Sequence, residues 1–150
     1  TQVKKHDYKT TESVDYKEFK VKLGDWSSVF GQYFSGEALY RAEFSGAALK
    51  NAKFLDLGVV KYAAQVRLNG VNLGTRLYAP YCFPLGNALK KGKNLLEIVV
   101  INTLANAIAS PEAQKIWEKL PFVNPYDARE RFFEQESLPS GLFGPVTFKK

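Results

Sequence analysis

Apolar and polar residues alternate with a period of two along most of this chain, the spacing that sends successive side chains to opposite faces of a strand. Phe19, Val21 and Leu23 alternate with Lys20 and Lys22, which predicts a half-buried strand broken at Gly24-Asp25. WSSVFGQYFSGEA then reads as an aromatic loop. In LYRAEFSG, Leu39, Arg41 and Glu43 oppose Tyr40, Ala42 and Phe44, a second strand closed by Ser45-Gly46. KFLDLGVV and YAAQVRLN flank Gly58 as two more. Asn69-Gly70 interrupts the alternation of QVRL and VNLG, and a type I′ turn needs positive φ at both central residues, so the pair predicts a hairpin. A short stretch, YCFPLG, precedes the turn KKGKN. NLLEIVVINTL is the most apolar segment, and its run Ile98-Val99-Val100-Ile101 predicts a strand covered on both faces. At the end, Val146 and Phe148 alternate with Thr147 and Lys149.

Two regions depart from this rhythm. Residues 1–15 are polar and weakly periodic, a linker or loosely held arm. Residues 105–139 form one long, partly helical excursion. Ser110-Pro111-Glu112 places an N-cap before proline at the first helical position, opening a helix through Lys119 with Ile116, Trp117 and Leu120 on one side. Asp127 and Glu130 resemble a capping pair for a second helix, ARERFFEQE. About eight strands without alternating helices predict an all-β fold, a jelly-roll β-sandwich in one domain over residues 1–150, and argue against a parallel α/β sheet.

Composition narrows the chemistry. The 150 residues are 45% hydrophobic and 24% charged, ordinary for a globular domain. The absence of Met suggests a piece of a longer protein. No apolar run approaches the roughly 18 residues of a membrane span, so no membrane partner is expected. The net charge is +6, yet the lysines are scattered among turns and form no stripe with interleaved aromatics, so a solvated surface is expected and a nucleic-acid partner is not. One cysteine, Cys82, excludes an internal disulfide and reads as a small buried hydrophobe. The single histidine, His6, lies in the arm, which leaves a nucleophilic triad without a base and excludes histidine zinc sites. No glycine-rich phosphate loop is present. Glu37, Glu43, Asp56 and Glu97 stand isolated, without the carboxylate pairing that glycoside hydrolysis requires.

Aromatics remain, at 14% of the chain. Phe19, Phe44, Phe54 and Phe148 lie on alternating strands and are expected in the core. Tyr78 and Tyr81 sit in a proline-containing loop after the hairpin, where a structural role is favoured over the alternative, rings that stack on the apolar face of a sugar. Trp117 suits either a docking helix face or a ligand.

Four stretches in order carry a resemblance. GDWSSVFGQYFSGEALYRAEF is similar to the start of the galactose-binding-like β-sandwich of multidomain glycoside hydrolases, with its tryptophan, Phe-Ser-Gly and Tyr-Arg strand. LDLGVVKYAAQVRLNGVNLGTRLYAPYCFPL resembles the Leu-Asp-Leu-Gly, Asn-Gly, Leu-Gly and aromatic-proline succession of that family. LKKGKNLLEIVVINTLANAI resembles its Gly-x-Asn-x-Leu strand, and SGLFGPVTF its closing strand. The likeness spans about residues 20–108 and 138–148 and is nearest to the modules of glycoside hydrolase family 2 and family 106 α-L-rhamnosidases. It implies a non-catalytic accessory module of an exported enzyme, extracellular or periplasmic, packed on the catalytic domain of the same polypeptide. It also implies carbohydrate contact at rim loops, with Tyr78, Tyr81, Trp117 and Tyr126 to stack and Arg76 and Asn106 to bond hydroxyls. Asn102 and Asn106 match an Asn-x-x-x-Asn element, although Ala107 stands where relatives often carry Arg. Related sandwiches often hold structural calcium; no acidic cluster predicts it here, and no cofactor is expected. A ligand-free interaction module and, more remotely, a small stand-alone glycosidase are the alternatives.

Overall fold

The computed structural model describes residues 2–3, 20–117, 119 and 138–150. In chain order the elements are β1 (Gln2–Val3), β2 (Gly24–Asp25), α1 (Ser27–Phe30), β3 (Glu37–Ser45), β4 (Phe54–Asp56), β5 (Val59–Lys61) and β6 (Ala63–Leu68). They continue with β7 (Val71–Arg76), β8 (Cys82–Pro84), β9 (Lys93–Ile101), α2 (Ala105–Ile108), α3 (Pro111–Trp117), β10 (Gly141–Gly144) and β11 (Thr147–Lys149). The fold is an all-β sandwich. One layer is a five-stranded antiparallel sheet in the order β1-β3-β9-β6-β7, and the strands opposite it form two three-stranded sheets, β2-β10-β5 and β11-β4-β8.

Alternation decides which side chains meet. In the large sheet Ala38, Val100 and Ala64 form one inward row and Tyr40, Ile98 and Val66 the next. They pack with Leu55, Val60, Phe83 and Leu142 of the smaller sheets, and with Leu57 and Leu85 next to those strands, into one core. The outward rows are Leu39–Val99–Gln65 and Arg41–Glu97–Arg67. The hairpin forms as expected: Asn69 and Gly70 have φ of 53° and 82° and join β6 to β7.

Leu55-Asp56-Leu57-Gly58 is explained by packing. Both leucines are fully buried, while an Asp56 carboxylate oxygen accepts the Gly58 N–H at 2.8 Å and turns the chain. Gly58 adopts φ of 65° and bridges Gly144 of the closing segment. That contact is why the chain needs glycine there: a Cβ on Gly58 would stand 2.4 Å from the Gly144 carbonyl oxygen.

Several expectations change. Residues 20–23 form no strand, and Val21 and Leu23 are exposed, because pairing begins only where Gly24 meets Leu142. Gly24-Asp25, read as a break, is itself β2. The aromatic loop contains α1, and a short α2 precedes α3. Ser110 caps α3 through its hydroxyl, which accepts the Ala113 N–H at 3.2 Å. β9 is covered on one face only: Leu96, Ile98 and Val100 are buried, whereas Val99 is half-buried and Ile101 is 37% exposed. Phe54 is exposed because Leu55 beside it takes the inward position, and Cys82 is half-buried for the same reason beside Phe83. Three of the four carboxylates are ion-paired with cations: Arg41 with Glu97 at 3.0 Å, Lys93 with Glu43 at 2.9 Å, and Lys149 with Asp56. Among the described residues no helix is long and apolar enough to cross a membrane, and no group of three or more His, Cys, Asp or Glu is gathered to hold a metal. His6, Phe19, Tyr126 and the proposed cap at Asp127 lie outside the described residues.

Candidate functional site

Pairing brings four chain segments to one end of the large sheet. Arg76 lies opposite Ala64, and Ala63 and Glu37 both lie opposite Ile101. The loop leaving β7, the start of β6, the end of β9 with its helices, and the approach to β3 therefore share a rim. Among the described residues of these segments, large apolar side chains face solvent at Leu77, 70% exposed, Tyr78, 77%, Leu104, 71%, and Ile116, 63%, with Ile101 exposed to a lesser degree.

A polar lattice holds the rim rigid. Asn102 accepts the Gly36 N–H at 2.8 Å and donates to the Phe34 carbonyl at 2.8 Å and to the Ser140 hydroxyl at 3.0 Å. Asn106 donates to the Leu138 carbonyl at 2.9 Å and to Ser140 Oγ at 3.2 Å, and accepts the Leu138 N–H at 2.6 Å. The Ser35 hydroxyl accepts the Ala107 N–H at 2.9 Å. Beneath them Trp26, Phe30 and Phe34 pack with ring centroids 5.0–5.7 Å apart. Satisfied buried amides of this kind fix backbone position, because breaking any bond strands a desolvated group.

Four of the six sequence-predicted site residues, Arg76, Tyr78, Tyr81 and Asn106, come to this rim, but with different duties. Tyr78 presents an open ring. Arg76 is half-buried; its guanidinium lies over the Phe83 ring, 5.3 Å from the centroid, and donates to the Thr75 carbonyl at 3.1 Å. Tyr81 points into the core with 6% exposure, and its hydroxyl donates to the Tyr62 carbonyl. Burial raises the Tyr81 pKa, so the phenol stays a donor. Asn106 is buried and spends its amide on the lattice. Trp117 closes α3, and Tyr126 lies outside the described residues.

A second feature escaped the sequence reading. On the outer face of the large sheet a groove of about 340 Å³ is lined by Glu37, Leu39, Gln65, Arg67, Glu97 and Val99. These residues come from three strands that are not consecutive in sequence, so no local motif signals them. Elsewhere, clefts of 350 and 460 Å³ border residues 20–23, the second of them open toward Leu96, Ile98 and Leu142. At the 350 Å³ cleft Tyr40 accepts the Leu142 N–H at 3.3 Å, and its pKa is raised, chiefly by burial. Asp56 is held below the usual carboxylate range, first by the Lys149 hydrogen bond and then by the Gly58 N–H. That direction suits an ion-pair anchor and opposes a general-acid role.

No protein-family model matches the chain. A Formosa agariphila protein named "Putative beta-glucuronidase" is 38% identical over an alignment of 167 positions, which covers 93% of this chain and 14% of that protein. The rhamnosidase structure from Novosphingobium sp. PP1Y matches with a TM-score of 0.52 and 38% identity over 76% of this chain and 11% of its own. A Bifidobacterium dentium β-glucuronidase structure gives a TM-score of 0.46 and 25% identity over 52% of this chain and 14% of its own. This chain thus spans only a small part of the proteins it matches. In sequence and in fold, it is similar over most of its length to a domain-sized part of large glycoside hydrolases.

Proposed function

We propose that the chain is a non-catalytic accessory module of an exported glycoside hydrolase, docked through its rim on the catalytic domain of the same polypeptide. In this reading the sandwich is a jelly roll of the galactose-binding-like kind, working outside the cytoplasm. The observation that carries it is the exposed apolar rim of Leu77, Tyr78, Leu104 and Ile116 on a lattice-braced edge. Apolar side chains gathered at one end of a domain mark an interaction surface. The ion-paired state of Glu43, Asp56 and Glu97 supports a non-catalytic role.

Paired melts test the docking. In the 150-residue chain, Leu77→Asp with Tyr78→Asp changes stability by no more than about 0.5 kcal/mol per site, as exposed positions do. In the longer polypeptide the same pair loosens the domain interface by about 2 kcal/mol or more and lowers the melting temperature. A longer polypeptide that melts unchanged sinks this docking.

A second reading assigns the rim to glycan contact. Tyr78 favours it: its ring, 77% exposed, is an open stacking platform. Tyr81 and Asn106 then act as supports beneath the surface. Under this reading Tyr78→Ala abolishes glycan binding by the 150-residue chain in calorimetry, and unchanged affinity eliminates it.

A further inference from the structure

We propose that the outer face of the five-stranded sheet carries a separate binding groove for a neutral, hydroxyl-rich ligand, a disaccharide unit of a glycan chain. The choice of ligand rests on the glycoside hydrolase reading above; the groove itself rests on geometry. Its volume of about 340 Å³ falls in the range of small-molecule sites.

The register sets out the chemistry. Leu39, Val99 and Gln65 form one row across β3, β9 and β6, and Arg41, Glu97 and Arg67 form the next. Leu39 and Val99 give an aliphatic floor for the C–H face of a sugar ring. Around it stand an amide that both donates and accepts, a guanidinium that only donates, and carboxylates that only accept. Sugar hydroxyls need that mixture, since each donates one hydrogen bond and accepts others. Arg41 Nε holds Glu97 Oε1 at 3.0 Å, which fixes the carboxylate and leaves it further lone pairs for a ligand.

Charge selects against anions. The lining sets Glu37 and Glu97 against Arg67, with Arg41 beside it paired to Glu97, so the groove offers no net attraction to an anion. Charge also argues against a domain interface here, because the cores of such interfaces are depleted in charged residues. The apolar rim fits that role, and the two surfaces are different places on the sheet. They are also adjacent. Glu37 stands in the last row before the rim, beside Ile101 and Ala63. A glycan lying along the groove runs toward whatever is docked at the rim. Because the groove is built on central strands, ligand binding has little ordering to oppose it.

The test is a two-dimensional amide NMR titration of the isotope-labelled 150-residue chain with cellobiose, lactose and mannobiose, and with digalacturonate as charged counterpart. The expected result is saturable shifts at Gln65, Arg67, Glu97 and Val99 with at least one neutral sugar, with millimolar affinity. Arg67→Ala and Gln65→Ala each weaken it about tenfold or more, equivalent to at least about 1.4 kcal/mol. The same spectra verify that each variant is folded. Shifts confined to Leu77 and Tyr78, a preference for digalacturonate, or no saturable shift with any of these sugars overturns the proposal. None of those outcomes bears on docking, which the paired melts decide separately.

Discussion

Asn94 is 1% exposed, and its amide is fully engaged. Its oxygen accepts the Lys90 N–H at 2.9 Å and Asn69 Nδ2 at 2.8 Å, while its nitrogen donates to the Lys90 and Gly92 carbonyls at 2.8 and 2.9 Å. Asn69 completes the knot by donating to the Ala88 carbonyl at 2.7 Å and accepting the Leu95 N–H at 3.0 Å. Asn94→Leu keeps the branched outline of the side chain but strands these partners, so it is expected to cost about 2–4 kcal/mol, read as a lowered urea midpoint. The Asp56–Lys149 pair makes a pH prediction. The Asp56 pKa lies below its unfolded value, so its contribution is full above about pH 4 and is lost as pH falls through the folded pKa. The Lys149 pKa is raised, so its contribution is full below its ordinary 10.5 and is lost as pH rises through the folded value. Asp56→Asn should therefore flatten the acid side of the stability profile. A variant as acid-sensitive as the parent chain would assign that sensitivity to other carboxylates.

At the scale of elements, two glycines with positive φ separate backbone strain from close approach. Gly58 and Gly70 both have positive φ, at 65° and 82°, but a Cβ on Gly70 meets nothing within 4 Å, whereas one on Gly58 strikes the Gly144 carbonyl. Gly70→Ala should cost about 1 kcal/mol, the left-handed penalty alone. Gly58→Ala should cost at least about 2 kcal/mol, because the junction between the two small sheets must also move. Equal melting temperatures for the two variants would remove close approach as the reason for Gly58. Such contrasts show how far the sequence could be read. The β6–β7 hairpin and the inward face of β9 were legible because their signals are local: a turn pair and a period of two. β2 was not, since its two residues are a strand only by virtue of Gly141 and Leu142 far along the chain. The proline beside Tyr81 suggests an outward, ligand-facing ring, whereas its spacing of two from Phe83 signals the core, where the side chain lies. Asn106 was read as a ligand group because nothing local reveals Leu138 and Ser140 beside it. The groove was invisible for the same reason, as it exists only once β3, β9 and β6 are in register.

For the molecule as a whole, the question is whether a layer split into two small sheets unfolds with the large sheet or before it. Burial favours one transition. Leu55 and Phe83 from one small sheet, and Val60 and Leu142 from the other, pack in the same cluster as Ala64, Val66, Ile98 and Val100 of the large sheet. Three-stranded sheets this short have little stability apart from a packed face, so removing either one exposes the core of the rest. A chain of this size with one core is expected to unfold in a single step. Tryptophan fluorescence, reporting in part from Trp26 beside β2, and far-UV circular dichroism, weighted by the large sheet, should give the same urea midpoint. Phe83→Ala is the sharpest probe, because Phe83 is fully buried and carries Arg76 above its ring. It should cost about 3–5 kcal/mol and shift both signals together. If fluorescence instead falls ahead of circular dichroism, the small sheets detach first. A rim braced by Ser140 and Asn102, which depends on β10 staying in place, could not then be the rigid platform that docking requires.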